Sequence, residues 1–185
     1  GQVQTFITTL GNLINQNGAQ VTPPNGNIVY PSGVTRTNSA YLVSDALEYL
    51  YFRESFPQYS IWRSSDYGQS FQSTGLSTVD TNYYTKAMSK NGEYVYIQVD
   101  TTASGIRFSS DYGQSFSSLS ISGMTSTTQA TIQTSSGGKF VWIATNPFSN
   151  PFDRKIFKSF DYGSTFQDVT NLIPPTTLTF KTIQV

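Results

Sequence analysis

Eleven acidic and eleven basic side chains carry all the charge of this 185-residue chain, which contains neither His nor Cys. Without imidazole or thiol there is no Ser-His-Asp or Cys-His nucleophile, no disulfide and no Cys/His zinc site. Carboxylates, arginines and tyrosines are what remain for chemistry. Two carboxylates facing each other across a bond could hydrolyse a glycoside. Asp45, Glu48, Glu54, Asp80, Glu93, Asp100, Asp153 and Asp168 are scattered, however, and spacing singles out no pair. The other three acids are not scattered. Asp66 and Asp111 sit in two identical octapeptides, Ser64–Phe71 and Ser109–Phe116 (Ser-Ser-Asp-Tyr-Gly-Gln-Ser-Phe), and Asp161 sits in a diverged third copy, Ser159–Phe166.

An Asp two residues before a Gly can accept hydrogen bonds from its own turn. Gly68, Gly113 and Gly163 supply the positive φ such a turn requires, and Ser64, Ser109 and Ser159 can bond to the same turn. Each copy brings one carboxylate, whereas a calcium loop needs several oxygens in succession. The expectation is therefore a self-satisfied structural turn with no metal and no cofactor. Phe71, Phe116 and Phe166 are expected to pack between neighbouring units.

The elements around these turns repeat as well. Asp66 and Asp111 are 45 residues apart, and Asp111 and Asp161 are 50 apart. Such periods are typical of four-stranded propeller blades. In each unit strand one ends near Val43, Met88 or Ile132. Strand two spans Glu48–Arg53, Glu93–Val99 or Lys139–Thr145. Strand three spans Ser60–Arg63, Gly105–Phe108 or Lys155–Lys158, and strand four begins at Phe71, Phe116 or Phe166. Strand two is apolar on both faces, as suits a strand covered on both sides. The reading is an all-β chain of propeller blades. Residues 1–38 form an N-terminal segment, and residues 39–185 carry three blades and a terminal strand at 178–183.

The pattern Ser/Thr-x-Asp-x-Gly-x-Ser/Thr-aromatic resembles the Asp-box, or BNR repeat, of sialidases and of the Vps10/sortilin propeller, over roughly residues 39–170. The resemblance implies a turn between the third and fourth strands of a blade, on the rim away from the usual ligand face. It does not extend to sialidase catalysis. Sialidases share an arginine triad, a Phe/Tyr-Arg-Ile-Pro segment, a Tyr/Glu nucleophile pair and an Asp acid. Here Phe52-Arg53 runs into Glu54-Ser55, and Arg63 and Arg107 stand beside the boxes. The expectation is a non-enzymatic module that binds protein or glycan, or a piece of a larger assembly such as a virion or surface appendage. A partial or degenerate glycosidase is the alternative. The candidate partner residues lie in the connections: Tyr59, Tyr83, Tyr84, Phe148, Phe152 and Arg154, with Phe56 beside them and the 147–154 loop foremost.

The flanks are less regular. Val3, Phe6, Ile7, Leu10, Leu13 and Ile14 form a one-faced stripe that predicts a helix over residues 1–18, although Gly11 weighs against it. This helix either lies on its own propeller or serves oligomerisation or anchoring. A short strand is expected at Ile28-Val29-Tyr30. Zero net charge without a basic run argues against a nucleic-acid partner, and no apolar run approaches the ~18 residues that span a bilayer. A chain opening on Gly1 is expected to be a processed product or one domain of a longer protein. Closed propellers have about four to eight blades, and three units leave three ways to close: a longer chain, a homodimeric ring, or an irregular fourth blade built by the N-terminal segment.

Overall fold

The structure, a computed structural model, describes residues 28–34, 36–78, 86–125, 130–145 and 154–172. The expected N-terminal helix and the 178–183 strand lie outside them. Among the described residues twelve strands form three antiparallel sheets of four. The first contains β1 (Arg36–Val43), β2 (Leu50–Glu54), β3 (Ser60–Ser64) and β4 (Gln72–Ser77). The second contains β5 (Lys86–Met88), β6 (Val95–Gln98), β7 (Ile106–Ser109) and β8 (Ser117–Ser118). The third contains β9 (Thr131–Thr134), β10 (Val141–Ala144), β11 (Ile156–Ser159) and β12 (Gln167–Asp168), followed by a short 3-10 turn at Thr170–Leu172. Each sheet is a meander in chain order, the form of a propeller blade.

The second strand of each sheet is shorter than the sequence suggests, because its first residues are drawn into the preceding turn. Tyr49, Tyr94 and Phe140 donate their N–H groups to the hydroxyls of Ser44, Ser89 and Ser135 at 3.0, 3.0 and 3.1 Å. Ser44, Ser89 and Ser135 in turn donate their own N–H to the carbonyls of those aromatics, each at 2.9 Å. The third blade's first strand runs two residues past Ile132, to Thr134.

Among the described residues three apolar cores lie against the sheet faces, two of them in the seams between sheets. Between blades one and two, Tyr51 and Ile61 meet Met88, Val95 and Ile97, with Phe116 at the edge. Between blades two and three, Tyr96 and Ile106 meet Ile132, Val141, Ile143 and Phe157, with Phe166 at the edge. The third core covers the free face of blade one, where Ile28 packs on Val43, Leu47 and Leu50 with Tyr30 and Phe71 beside it. Residues 28–30 are not a strand. The Val29 N–H donates to the Gly68 carbonyl at 2.7 Å, so this segment bonds to a turn and has no ladder to join.

Backbone bonds also run from blade to blade. Asp45 donates to the Lys90 carbonyl at 2.8 Å, and Lys90 to the Ser136 carbonyl at 2.9 Å. The β1–β2 turns are thus chained along the rim that also carries the β3–β4 turns. The described connections, β2–β3 and β6–β7, emerge at the opposite rim.

Candidate functional site

Each Asp-Tyr-Gly turn closes on itself in the same way. The hydroxyl of Ser109 donates to Asp111 Oδ1 at 2.7 Å and accepts the Gly113 N–H at 2.8 Å and the Asp111 N–H at 3.3 Å. Asp111 Oδ1 also accepts the Ser115 N–H at 3.0 Å, and Oδ2 accepts the Ser115 hydroxyl at 2.6 Å. The first turn repeats this with Ser64, Asp66 and Ser70, and the third with Ser159, Asp161 and Thr165. Both carboxylate oxygens of all three aspartates are therefore bonded within their own loops.

This bonding sets the acidity of the three groups. Partial desolvation pushes the Asp111 carboxyl up, but the Ser115 hydroxyl and N–H, the Ser109 hydroxyl and the Gln114 N–H outweigh it and hold the group down at about 2. Asp66 is lowered by the same balance, while Asp161 is lowered chiefly by Thr165 and Ser159. A carboxyl with a depressed folded-state value stabilises the fold above its unfolded value and loses that contribution as pH falls through the folded value. The urea midpoint should accordingly decline between about pH 4, the unfolded carboxyl range, and pH 2. A midpoint that holds steady or rises over that interval would contradict the bonding.

Tyr67, Tyr112 and Tyr162 precede the turn glycines at φ 60, 61 and 59°, a left-handed conformation that is costly for an aromatic residue. Their rings show what offsets that cost. Tyr112 stacks on Tyr49, and Tyr162 stacks on Tyr94, each with 4.8 Å between centroids. The Tyr51 hydroxyl donates to the Tyr112 carbonyl at 2.7 Å, and the Tyr96 hydroxyl to the Tyr162 carbonyl at 2.9 Å. Both donors are fully buried. The turns therefore fasten each blade to the one before it. Sequence reasoning placed Tyr51 and Tyr96 only within strand two of their units. The signal for their second role is a tyrosine at the same place in two successive blades, which requires the repeat to be read across units.

The arginines divide. Arg63 donates through Nε to the Tyr112 carbonyl and lies over the Tyr49 ring, so it belongs to the first joint. Arg107 corrects the sequence reading that placed it beside a box. Its guanidinium bonds the Ser104 carbonyl and lies 3.9 Å from Asp100, on the connection at the opposite rim, because β7 begins there.

Among the candidate partner residues, Tyr59 and Arg154 are described, and both are half-buried at the rim opposite the turns. Tyr59 sits at φ 51°, edge-on to the exposed Phe56 and under the Arg53 guanidinium at 5.5 Å. Tyr83, Tyr84, Phe148 and Phe152 lie outside the described residues. On this rim Arg53 and Glu54 are buried, and Glu54 accepts the Trp62 indole N–H at 3.3 Å. Burial, with Arg53 nearby, lowers the Lys86 amine to about 8. Sequence reasoning did not single out Lys86.

The rim of the first joint holds an open groove of 590 Å³, lined by Tyr49, Arg63, Ser65, Gln72, Thr74 and Gln114. It offers hydroxyls, amides, a guanidinium and one aromatic ring, and its lining contains no carboxylate. Among the described residues no group of three or more carboxylates comes together as a metal would require, and no helix is long and apolar enough to cross a membrane.

No protein-family model matches the sequence, and no curated protein does. Solved structures do match. A GH74 enzyme of Niastella koreensis is 17% identical with a TM-score of 0.55 over 78% of this chain, and the match spans 24% of that protein. YCF48 bound to D1 peptide is 15% identical, with a TM-score of 0.48, over 74% of this chain and 42% of that one. The GH74 xyloglucanase of Xanthomonas campestris is 12% identical, with a TM-score of 0.48, over 74% and 22%. At these identities the likeness is one of fold. The chain is built of β-propeller blades and corresponds to under half the length of each of these proteins.

Proposed function

We propose that this chain is a non-enzymatic propeller module of the Asp-box type, which binds protein or glycan as part of a larger assembly such as a virion or surface structure. The observation that carries this reading is the saturation of the three repeated carboxylates by their own turns. A group that accepts hydrogen bonds at both oxygens and is held far below neutrality is a poor general acid, and it has no free oxygen with which to attack a sugar. The boxes then act as structural staples: Ser64, Asp66, Gly68 and Phe71; Ser109, Asp111, Gly113 and Phe116; Ser159, Asp161, Gly163 and Phe166.

Binding is assigned to the opposite rim, where Tyr59 and Arg154 stand, and to the sequence segments that carry Tyr83, Tyr84, Phe148 and Phe152. Aromatic side chains and arginine are the residue types that anchor protein interfaces and stack on sugars. The alternative is a partial or degenerate glycoside hydrolase, favoured by the fold likeness to a GH74 enzyme. A glycan array, run beside turnover assays on a fluorogenic sialoside and on xyloglucan oligosaccharides, separates the two. The proposal expects no turnover of either substrate, and sustained hydrolysis by the purified chain would overturn it.

A further inference from the structure

The two joints between blades are built to one plan. The outgoing face of blade one presents Tyr49 just before β2, Tyr51 on β2 and Arg63 on β3, with Tyr51 opposite Arg63 in the ladder. Blade two presents Tyr94, Tyr96 and Phe108 at the same places, with Tyr96 opposite Phe108. Each face receives the Tyr-Gly pair of the next turn. The arriving glycine comes so close to the buried tyrosine that a Cβ on Gly113 would meet the Tyr51 hydroxyl, and one on Gly163 would lie 2.9 Å from the Tyr96 hydroxyl.

Blade three repeats the outgoing pattern with Phe140 and Trp142 on the β10 side and Lys158 on β11, Trp142 standing opposite Lys158. Here the rings are only partly covered, and Trp142 is half-buried. Phe140 is 38% exposed and Phe160 45% exposed, whereas Tyr51 and Tyr96 are fully buried. Lys158 Nζ lies 4.4 Å from the Trp142 ring centre and 4.2 Å from that of Phe160, and Phe160 meets Phe140 edge to face.

The other end of the arc is already filled. Ile28 lies against Gly68 as Tyr51 lies against Gly113, with Cγ1 only 2.7 Å from where a Cβ on Gly68 would be. The Val29 N–H takes the Gly68 carbonyl, and Tyr30 stacks on Phe71 at 5.4 Å. Where blades two and three have Gly92 and Gly138 at positive φ under Tyr49 and Tyr94, blade one has Leu47 at φ 61°, 3% exposed and packed into the core with Ile28. Among the described residues, Ile28 and Leu47 of the chain itself thus take the place of an incoming tyrosine ring at this end.

We propose that the face formed by Phe140, Trp142, Lys158 and Phe160 is the docking site for a fourth blade of the same kind, presenting an aromatic-glycine turn, and that a second copy of this arc does not close it head to tail. The site continues two established joints, and among the described residues the arc end that a second copy could offer it is occupied by that copy's own Ile28 and Val29. This inference holds whether the module binds protein or glycan.

The test is to append a copy of residues 86–121, one whole sheet, after Val185, in a Trp62→Phe background where Trp142 is the remaining tryptophan. Docking should reduce acrylamide quenching of Trp142 severalfold and raise Tm by about 5 °C, since one added repeat interface stabilises its neighbour. Gly113→Ala placed in the appended copy alone should remove both effects. A single blade cannot bury its own faces, so appended residues that stay protease-sensitive, with Trp142 quenched as before, would overturn the proposal. Shielding of Trp142 on concentrating the unextended protein would also overturn it, because a second copy would then be the occupant.

Discussion

Gly113→Ala should destabilise the protein by about 4 kcal/mol, combining a left-handed conformation forced on alanine, overpacking of a buried ring and one lost hydrogen bond. Gly113 stands at φ 76°, and its Cβ would lie 2.9 Å from both Cε1 and Cζ of Tyr51 as well as on the hydroxyl. Tyr51 is fully buried in the first seam, so its ring cannot swing aside without opening that core. The loss is a large share of the 5–15 kcal/mol that holds a typical domain together. Gly75→Ala is the matched control. Gly75 has φ 74° and nothing within 4 Å of a new Cβ, so only the conformational cost of about 1 kcal/mol should appear. Urea unfolding followed by intrinsic fluorescence measures both variants. Equal losses would mean that the close approach across the joint carries no weight.

Ser109→Ala should cost about 3 kcal/mol, since it strands a buried backbone donor and removes a bond to a charged group. Ser109 is 2% exposed, and its hydroxyl is the acceptor for the buried Gly113 N–H. Alanine leaves that donor without a partner where water does not reach, and Asp111 loses one of its hydroxyl donors. Ser110→Ala, one residue on and exposed, should change stability by less than about 0.5 kcal/mol. The same urea series tests the pair. A loss at Ser109 no larger than that at Ser110 would show that the hydroxyl is not a structural centre of the turn.

The three blades and their order were legible because the turn chemistry is local. Ser109, Asp111, Gly113 and Ser115 interact within four positions of one another, so the pattern survives in the linear sequence even where the third copy has Phe160 and Ser164. The second set of turns, at Ser44, Ser89 and Ser135, was legible only as a polar turn before an aromatic-rich strand, and its serine bonding was not, because its interior residues vary from Asp-Ala-Leu to Lys-Asn-Gly to Ser-Gly-Gly. The constant signal there is a serine five residues before an aromatic. The joints were not legible from one unit alone. Tyr51 reads as an apolar strand residue until the turn 61 positions later is placed against it. Ile28 and Val29 carry no repeat signal, and the strand expected of them was displaced by a specific bond to Gly68. Arg107 was misplaced because sequence distance to the box does not show which way a side chain runs along its strand.

The central claim is that the repeated carboxylates are structural staples and take no part in chemistry. The most direct test is an NMR titration of the Asp111 carboxyl carbon in the folded protein. The hydrogen bonds from Ser109 and Ser115 predict a midpoint near about 2. A midpoint at or above about 4, the range of a carboxyl free of such bonds, would contradict the account.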